Sequence, residues 1–239
     1  SGIGGTTVLE HIKHSIPNAQ YSYFMDNALL PYGAQSQQTI INRLCSLIHF
    51  IKANTLSVDL IVIACNTAST SALSAVRQIT DIPIVGVVPA IKPAAELTRS
   101  NHIGLLATPA TVASPYTKTL IAEHARNVIV NLYSSVELVT LAEQYFFTES
   151  LDINKLHQVL DDLHIDKTID VLVLGCTHFP ILAEPISQYF EGKVKLLDSG
   201  VAIANRVDYL LKQLNLRMNK LTDIKKPLQY YATADVFSN

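Results

Sequence analysis

Residues 58–69 read Val-Asp-Leu-Ile-Val-Ile-Ala-Cys-Asn-Thr-Ala-Ser. The run of β-branched and apolar residues predicts a strand that is buried on both faces, as in a parallel sheet. The strand is predicted to end at Cys65, and the small and polar residues that follow predict the start of a helix. Because ligands of open α/β sheets bind just past the carboxyl ends of such strands, we expect Cys65 to lie at a binding site.

The same pattern occurs a second time in residues 169–179, which read Ile-Asp-Val-Leu-Val-Leu-Gly-Cys-Thr-His-Phe. Each copy has an apolar residue, an Asp, an apolar run and then a cysteine followed by polar residues. A repeat of this size predicts two similar α/β units, each of which contributes one cysteine. A lone free cysteine often behaves as a small buried hydrophobe, but Cys65 and Cys176 at matching strand ends favour a functional role.

Strand and helix patterns alternate along nearly the whole chain, which predicts an α/β fold with mainly parallel sheets. The repeat predicts two pseudo-symmetric lobes with the active site in the cleft between them. The first lobe is predicted to comprise residues 1–90 plus 199–239, and the second residues 91–198. A single helix is predicted over residues 112–125.

Residues 1–5 read Ser-Gly-Ile-Gly-Gly and predict a glycine-rich turn that opens a helix. The backbone N–H groups of such a turn can bind an anion, although three glycines alone are a weak signal. A strand is expected before a turn of this kind, so we expect the sequence to begin inside a βα unit.

The composition limits the possible functions. Of the 239 residues, 49% are hydrophobic, which is enough for sizeable cores, and the net charge of −2 argues against a nucleic-acid partner. No apolar run approaches the roughly 20 residues of a membrane helix, and no secretory signal opens the sequence.

The three cysteines include Cys45 in a helical pattern and form no Cys-x-x-Cys pair, which predicts a cytoplasmic protein without a structural metal site.

Two cysteines at facing strand ends are suited to proton transfer at a carbon acid. In a racemase one thiolate removes the α-proton, and a thiol on the opposite face donates its own. Three other classes remain open: a covalent thiol enzyme that pairs Cys176 with His178, a non-catalytic amino-acid-binding module, and a thiol redox protein. The first two of these leave the second cysteine unexplained.

Polar residues surround the predicted strand ends. Hydroxyl and amide side chains rather than Lys or Arg cluster there, so we expect substrate carboxylates to be held by uncharged donors. His178 follows Cys176 closely and is predicted to set its protonation state. Glu143 lies on the amphipathic helix predicted over residues 135–147, where it either faces solvent or turns toward the site.

Five motifs occur in order over nearly the whole chain: Ser-Gly-x-Gly-Gly at 1–5, Pro-Tyr-Gly at 31–33, Ala-Cys-Asn-Thr-Ala-Ser at 64–69, Thr-Pro-Ala-Thr at 108–111 and Gly-Cys-Thr-His-Phe-Pro at 175–180. Together they resemble the glutamate racemases of the aspartate/glutamate racemase superfamily. The two cysteine motifs are the most specific of the five. Members of the family also carry an Asp immediately before the first motif, and this residue is not in the sequence.

The resemblance implies a cofactor-independent interconversion of L- and D-glutamate, which supplies D-glutamate for bacterial peptidoglycan and so for cell-wall biogenesis and cell shape. It implies that Cys65 and Cys176 are the acid/base pair and that His178 and Glu143 assist the second cysteine. The residues that match substrate-binding positions are Ser1, Tyr32, Gly33, Asn66, Thr67, Thr108, Thr111 and Thr177. A homodimer is the assembly that the resemblance suggests, and aspartate is the alternative substrate.

Overall fold

The computed structural model describes residues 1–54, 58–216 and 227–235. The helices are α1 (Gly5–Ser15), α2 (Gln37–Ala53), α3 (Asn66–Arg77), α4 (Ile91–Leu97), α5 (Pro109–Ala113), α6 (Pro115–His124), α7 (Glu137–Thr148), α8 (Ile153–Asp162), α9 (Ala183–Tyr189) and α10 (Gly200–Gln213). The strands are β1 (Ser22–Met25), β2 (Ile61–Ile63), β3 (Ile84–Gly86), β4 (His102–Ala107), β5 (Ile129–Ser134), β6 (Val171–Gly175), β7 (Lys195–Leu197) and β8 (Gln229–Ala232). Short 3₁₀ turns occupy Asn27–Leu29, Tyr32–Ala34 and Phe179–Leu182.

The largest sheet has four parallel strands in the order β5-β4-β6-β7. Every residue of the two central strands, β4 and β6, is buried. Ala107 lies opposite Gly175 at the carboxyl ends of these strands. The residue that follows Gly175 is Cys176, so the second cysteine leaves the sheet from a central, covered strand, as the repeat predicted.

Side chains of β6 point alternately into two cores, as the period of a strand requires. Leu172 and Leu174 pack into a core with residues of α7, α8 and α9. Val171 and Val173 pack on the other face with residues of α4 and α6. Helices therefore cover both faces of the sheet, which is the reason its strands read as nearly continuous apolar runs.

The remaining strands form two parallel pairs, β2 with β3 and β1 with β8. In the second pair, the ring of Phe24 stacks on that of Tyr231, with centroids 4.4 Å apart. Every strand pairing within the described residues is parallel, and helices alternate with strands. The predicted α/β fold with parallel sheets is confirmed.

The strands divide along the chain in the way that the repeat suggests. All of the four-stranded sheet comes from residues 91–198, whereas the two strand pairs come from residues 1–90 and 199–239. Helices α1 and α10 also pack together, through a core that contains Val8, Ile12, Ile203 and Val207. This distribution supports the proposed lobes, whose boundaries stay a prediction.

The single helix predicted over residues 112–125 is wrong, because the structure has α5 and α6 in its place. Ser114 adopts an extended backbone between them, and its side chain accepts a hydrogen bond from the Tyr116 amide. Pro115 cannot donate to the preceding turn, but it is favoured at the first position of a new helix. The chain therefore stops one helix and caps the next within two residues.

The Asp of the second sequence repeat has a structural role. The carboxylate of Asp170 accepts hydrogen bonds from the Thr98 hydroxyl at 2.5 Å, the Arg99 amide at 2.6 Å and the Ser100 amide at 3.0 Å. Burial by itself raises the pKa of Asp170, but these hydrogen bonds outweigh it and lower the pKa to about 2. The carboxylate thus fixes the turn that leads from α4 into β4.

We expect Asp170→Asn to lower the free energy of unfolding at pH 7 by roughly 1–2 kcal/mol, the loss typical of a charge-assisted hydrogen bond. Because the pKa is depressed in the folded state, this stabilisation is present above the ordinary Asp pKa near 4 and is lost as the pH falls toward 2. Urea unfolding at several pH values should show the two proteins converging below pH 3. Asp162→Asn, an exposed position on α8, is the matched control, and an unchanged gap at pH 2 would contradict this account.

Candidate active site

Cys65 lies two residues after β2 and caps the N-terminus of α3. Its sulfur accepts a hydrogen bond from the Ala68 amide at 3.4 Å. A helix N-terminus carries unpaired N–H donors and partial positive charge, both of which favour negative charge on a capping atom. The side chain is half-buried, so the sulfur of Cys65 can be reached by a ligand and also has a hydrogen-bond donor, the Ala68 amide, beside it.

Cys176 directly follows β6 and is 7% exposed. The pKa of its thiol is raised to about 12, chiefly by burial and also by the nearby Cys65, while hydrogen bonds from the His178 and Phe179 amides act in the opposite direction. The second cysteine is therefore a neutral thiol at pH 7.

His178 links Cys176 to Glu143. Its Nδ1 lies 3.7 Å from the Cys176 sulfur, and its Nε2 lies 2.7 Å from Glu143 Oε1. Burial lowers the pKa of His178, although Glu143 opposes this effect. A neutral imidazole that donates from Nε2 to the carboxylate presents an unprotonated Nδ1 to the sulfur.

Glu143 turns into the protein rather than toward solvent, and the glycine-rich turn holds it there. Its Oε1 accepts a second hydrogen bond from the Ile3 amide at 2.8 Å. Gly2 has φ +59°, and a Cβ on it would lie 1.9 Å from this oxygen. A Cβ on Gly4 would lie 2.5 Å from His178 Nδ1. The turn that was predicted to bind an anion thus binds a carboxylate of the chain itself.

The two cysteine-bearing segments meet directly. The Thr177 hydroxyl donates to the Ala64 carbonyl at 3.2 Å, which joins the residue after Cys176 to the residue before Cys65. The Thr7 hydroxyl donates to the Thr177 carbonyl at 3.0 Å and adds α1 to the same junction. The structure therefore brings together the two strand ends that the repeat predicted to face each other.

Three predicted substrate-binding threonines form a buried cluster. The hydroxyl of Thr67 lies 2.7 Å from that of Thr108 and 3.1 Å from that of Thr111. Thr108 also caps α5 by accepting from the Thr111 amide at 3.4 Å. Thr108 is thus the N-cap of α5, and the cluster also joins the start of α3 to the start of α5 beside Cys65.

Asn66 has a buried amide whose Nδ2 finds no hydrogen-bond acceptor among the residues that the structure describes. Leaving a buried donor unpaired costs about 1–3 kcal/mol, so such a group calls for a ligand. Asn66 lines a pocket together with Thr7, Cys176, Thr177, Asp198 and Ser199. A ligand acceptor such as a carboxylate oxygen at hydrogen-bond distance would satisfy the amide.

The other predicted substrate contacts, Ser1, Tyr32 and Gly33, lie in and beside the 3₁₀ turn Tyr32–Ala34. The Tyr32 amide donates to Ser1 Oγ at 3.4 Å, and the Tyr32 phenol donates to Asp26 Oδ2 at 2.5 Å. The phenol proton is thus already used in the hydrogen bond to Asp26. A contact between this turn and the substrate is therefore expected from backbone groups. Gly33 is required sterically, since a Cβ there would lie 2.7 Å from Thr108 Cβ.

Sequence reasoning missed Thr7 and Asp26. Thr7 falls inside α1 and reads as an ordinary helical residue, and its contact with Thr177 spans 170 positions. Asp26 directly follows β1, a position where functional residues are often found, but its partners Arg43 and Thr233 are remote in sequence. The end of a strand was the available signal for Asp26, and nothing local pointed to Thr7.

Within residues 1–54, 58–216 and 227–235, no three His, Cys, Asp or Glu side chains are grouped so as to hold a metal ion. The same residues contain no helix with the length and apolarity needed to span a bilayer. The absence of a cofactor stays a prediction.

Known proteins match the chain over nearly its full length. The Asp/Glu/Hydantoin racemase family profile matches residues 6–207. The glutamate racemase of Shewanella frigidimarina is 48% identical over 236 residues, which span 99% of this chain and 88% of the relative.

Two solved structures extend the likeness. Escherichia coli glutamate racemase in complex with L-glutamate and the activator UDP-MurNAc-Ala superposes with a TM-score of 0.87 and 39% identity, covering 98% of this chain and 86% of the other. Francisella tularensis glutamate racemase in complex with D-glutamate gives a TM-score of 0.81 and 30% identity, covering 99% and 87%.

We expect Gly4→Ala to slow turnover of glutamate by roughly tenfold to a hundredfold, a part of the about 10²–10⁴-fold that acid–base assistance contributes. The new methyl group would push the His178 ring from its place beside Cys176, while the backbone of Gly4, at φ −54°, suits alanine and keeps the fold.

A His178→Ala background tests this cause. Once the ring is absent, adding Gly4→Ala should change the rate little, because interacting sites are not additive. Equal losses in both backgrounds, measured by polarimetry, would contradict the steric explanation.

Proposed function

The chain belongs to the Asp/Glu/hydantoin racemase family and racemises glutamate, and from this premise we propose that Cys65 and Cys176 exchange the α-proton from opposite faces of the substrate. The observation that carries the proposal is the junction of the two strand ends, where the Thr177 hydroxyl bonds the Ala64 carbonyl. This contact supports a single site that both sulfurs share. An acid and a base on opposite faces are what inversion at a carbon atom needs.

In one direction Cys65 is the base. The Ala68 amide and the N-terminus of α3 stabilise its thiolate, which removes the α-proton. Cys176, a buried thiol at neutral pH, donates its proton to the other face of the carbanion. The product is the opposite enantiomer, and the two sulfurs have exchanged protonation states.

In the other direction Cys176 must lose its proton before it can act. His178 Nδ1 faces the sulfur at 3.7 Å and is free to accept, because Nε2 carries the ring proton toward Glu143. The carboxylate then stabilises the imidazolium that forms, as a buried acid does for a catalytic histidine. His178 and Glu143 therefore serve the second cysteine.

We further propose that uncharged groups hold the substrate carboxylates. The unpaired Asn66 amide is the clearest candidate donor, and the hydroxyls of Thr67 and Thr177 lie beside it. Thr108, Thr111 and the backbone of Ser1, Tyr32 and Gly33 complete the proposed contacts. Hydrogen bonds to a charged group contribute about 1.5–3 kcal/mol each, so a few suffice to bind glutamate without a cation.

The product D-glutamate is a component of bacterial peptidoglycan, so the reaction serves cell-wall biogenesis and cell shape. We propose a cytoplasmic location, since Cys45, Cys65 and Cys176 are free thiols, as expected in a reducing compartment. A homodimer stays a prediction.

Isotope exchange tests the two-base scheme. In D₂O, early product should carry deuterium at the α-carbon while unreacted substrate stays protiated, because the donating sulfur has equilibrated with solvent. Proton NMR from each pure enantiomer measures this. Efficient return of protium to the product would indicate a single base and contradict the scheme.

Serine variants assign the two bases. Cys65→Ser and Cys176→Ser should each abolish racemisation, whereas Cys45→Ser, on α2, should keep it. With a β-chloro analogue of glutamate, abstraction alone expels chloride and leaves an enamine that water hydrolyses to 2-oxoglutarate and ammonia. Each serine variant should process one enantiomer of this analogue, and the preferred enantiomer should reverse between them.

His178→Asn is expected to slow this elimination by roughly tenfold or more for one enantiomer, the one that Cys65→Ser still processes, and to spare the other. The reason is that His178 accepts the proton of Cys176 and does not contact Cys65. Elimination is the better readout, because racemisation has an equilibrium constant of one and kcat/KM must fall equally in both directions. Equal slowing of elimination from both enantiomers would indicate that His178 has a purely structural role.

A further inference from the structure

A buried carboxylate that the proposed reaction does not use lies behind the substrate-binding turn. Asp26, at the end of β1, is 4% exposed and accepts four hydrogen bonds from side chains. Arg43 donates from Nε at 2.8 Å and from Nη2 at 2.7 Å. The Tyr32 phenol donates at 2.5 Å, and the Thr233 hydroxyl donates at 2.6 Å.

These donors keep Asp26 charged. Burial by itself raises the pKa of Asp26, but the hydrogen bonds from Arg43, Thr233 and Tyr32 outweigh it and hold the pKa below the ordinary range. Burial and the neighbouring carboxylate raise the pKa of the Tyr32 phenol. At neutral pH a fixed carboxylate therefore faces a phenol that always donates.

The network continues from Asp26 into the site. Tyr32 is fully enclosed, and the next residue, Gly33, packs so closely on Thr108 that a Cβ would lie 2.7 Å from Thr108 Cβ. Thr108 in turn bonds Thr67, two residues from Cys65. An unbroken series of packed or hydrogen-bonded groups thus runs from Asp26 to the first cysteine.

The network also reaches the C-terminal strand. Thr233 follows β8, which pairs in parallel with β1, and its amide donates to the Asn27 side chain at 3.1 Å. Asp26 is therefore held by α2 on one side and by the end of β8 on the other. A carboxylate fixed from two sides can set the position of a third element, the 3₁₀ turn Tyr32–Ala34, with little freedom.

We propose that Asp26 is a positioning residue for glutamate binding: clamped by Arg43 and Thr233, it fixes Tyr32 and so the 31–33 turn against Thr108. The proposal rests on the proposed function, since it takes this turn as part of the substrate site. The Asp26 network acts equally on bound substrate and on the transition state, because the turn makes the same contacts in both. Losing it should therefore raise KM and leave kcat nearly unchanged.

The test compares Tyr32→Phe, Asp26→Asn and the double variant. We expect each single change to raise KM for both enantiomers by about five- to tenfold, with kcat within about twofold of the original. The double variant should resemble the worse single variant, because both changes break the same link. Thr233→Val, remote from the site, should raise KM by about two- to threefold.

Tyr189→Phe is the matched control. Its phenol also donates to an aspartate at 2.5 Å, Asp161 Oδ1, but on α9 and away from the cysteines. It removes a hydrogen bond of the same kind and should leave KM unchanged. Tyr32→Phe keeps the ion pair of Asp26 with Arg43, so it tests the proposal even if Asp26→Asn does not fold.

Calorimetric titration with D-glutamate provides a readout that does not depend on turnover. Dissociation constants that rise in parallel with KM support the positioning role. Variants that lose thermal stability but keep the original KM and dissociation constant would overturn it, as would additive effects in the double variant. A wild-type chain that binds glutamate without the two-cysteine exchange would contradict the proposed function but not this inference, which binding alone decides.

Discussion

One carboxylate oxygen, Oε1 of Glu143, organises the second half of the active site. It accepts from the Ile3 amide and from His178 Nε2, which are 175 positions apart in the chain. The first bond holds the glycine-rich turn, and the second fixes both the tautomer and the position of the ring. Gly2 and Gly4 are required because side chains there would occupy the space of the carboxylate and the imidazole. The His178 ring is thus positioned in part by the backbone of residues 2–4, whose own side chains have no role in the proposed reaction.

The pocket that Asn66 lines offers neutral hydrogen-bond donors rather than basic side chains. Among the described residues that line the small pocket beside Cys176, none is Lys or Arg and one, Asp198, is acidic. Arg43, which lies behind the 31–33 turn, is bound by Asp26. A cation beside a thiolate would favour its charged form and so weaken it as a base. Neutral donors such as Asn66 and Thr67 can bind carboxylates while leaving the basicity of the sulfurs to their own surroundings.

The repeat in the sequence was enough to predict both cysteines at strand ends, because an apolar run followed by Cys reflects local rules of parallel sheets. The helix pattern alone left the orientation of Glu143 open, since either face of an amphipathic helix can hold a glutamate and the choice depends on the glycine turn at the start of the chain; only the resemblance to the racemases pointed to the inward orientation. The role of Asp26 was not predicted, because its partners Arg43 and Thr233 come from α2 and from the end of β8, far away in the sequence. The break at Pro115 was missed although proline at a helix start was a local signal.

The two cysteines of the proposed proton exchange differ in their surroundings. The half-buried Cys65 takes its stabilisation from an amide at a helix N-terminus, which costs nothing to reorganise during the reaction. Cys176 is enclosed, and its pKa near 12 makes its thiolate a stronger base but a rarer species. In the proposed reaction a weakly acidic α-proton favours the stronger base, and the imidazole of His178, 3.7 Å from the sulfur, is the group placed to accept the thiol proton. A buried thiol at position 176 therefore needs a proton acceptor beside it. The hydrogen bond from His178 Nε2 to Glu143 supports this role, because it leaves Nδ1 unprotonated and facing the sulfur.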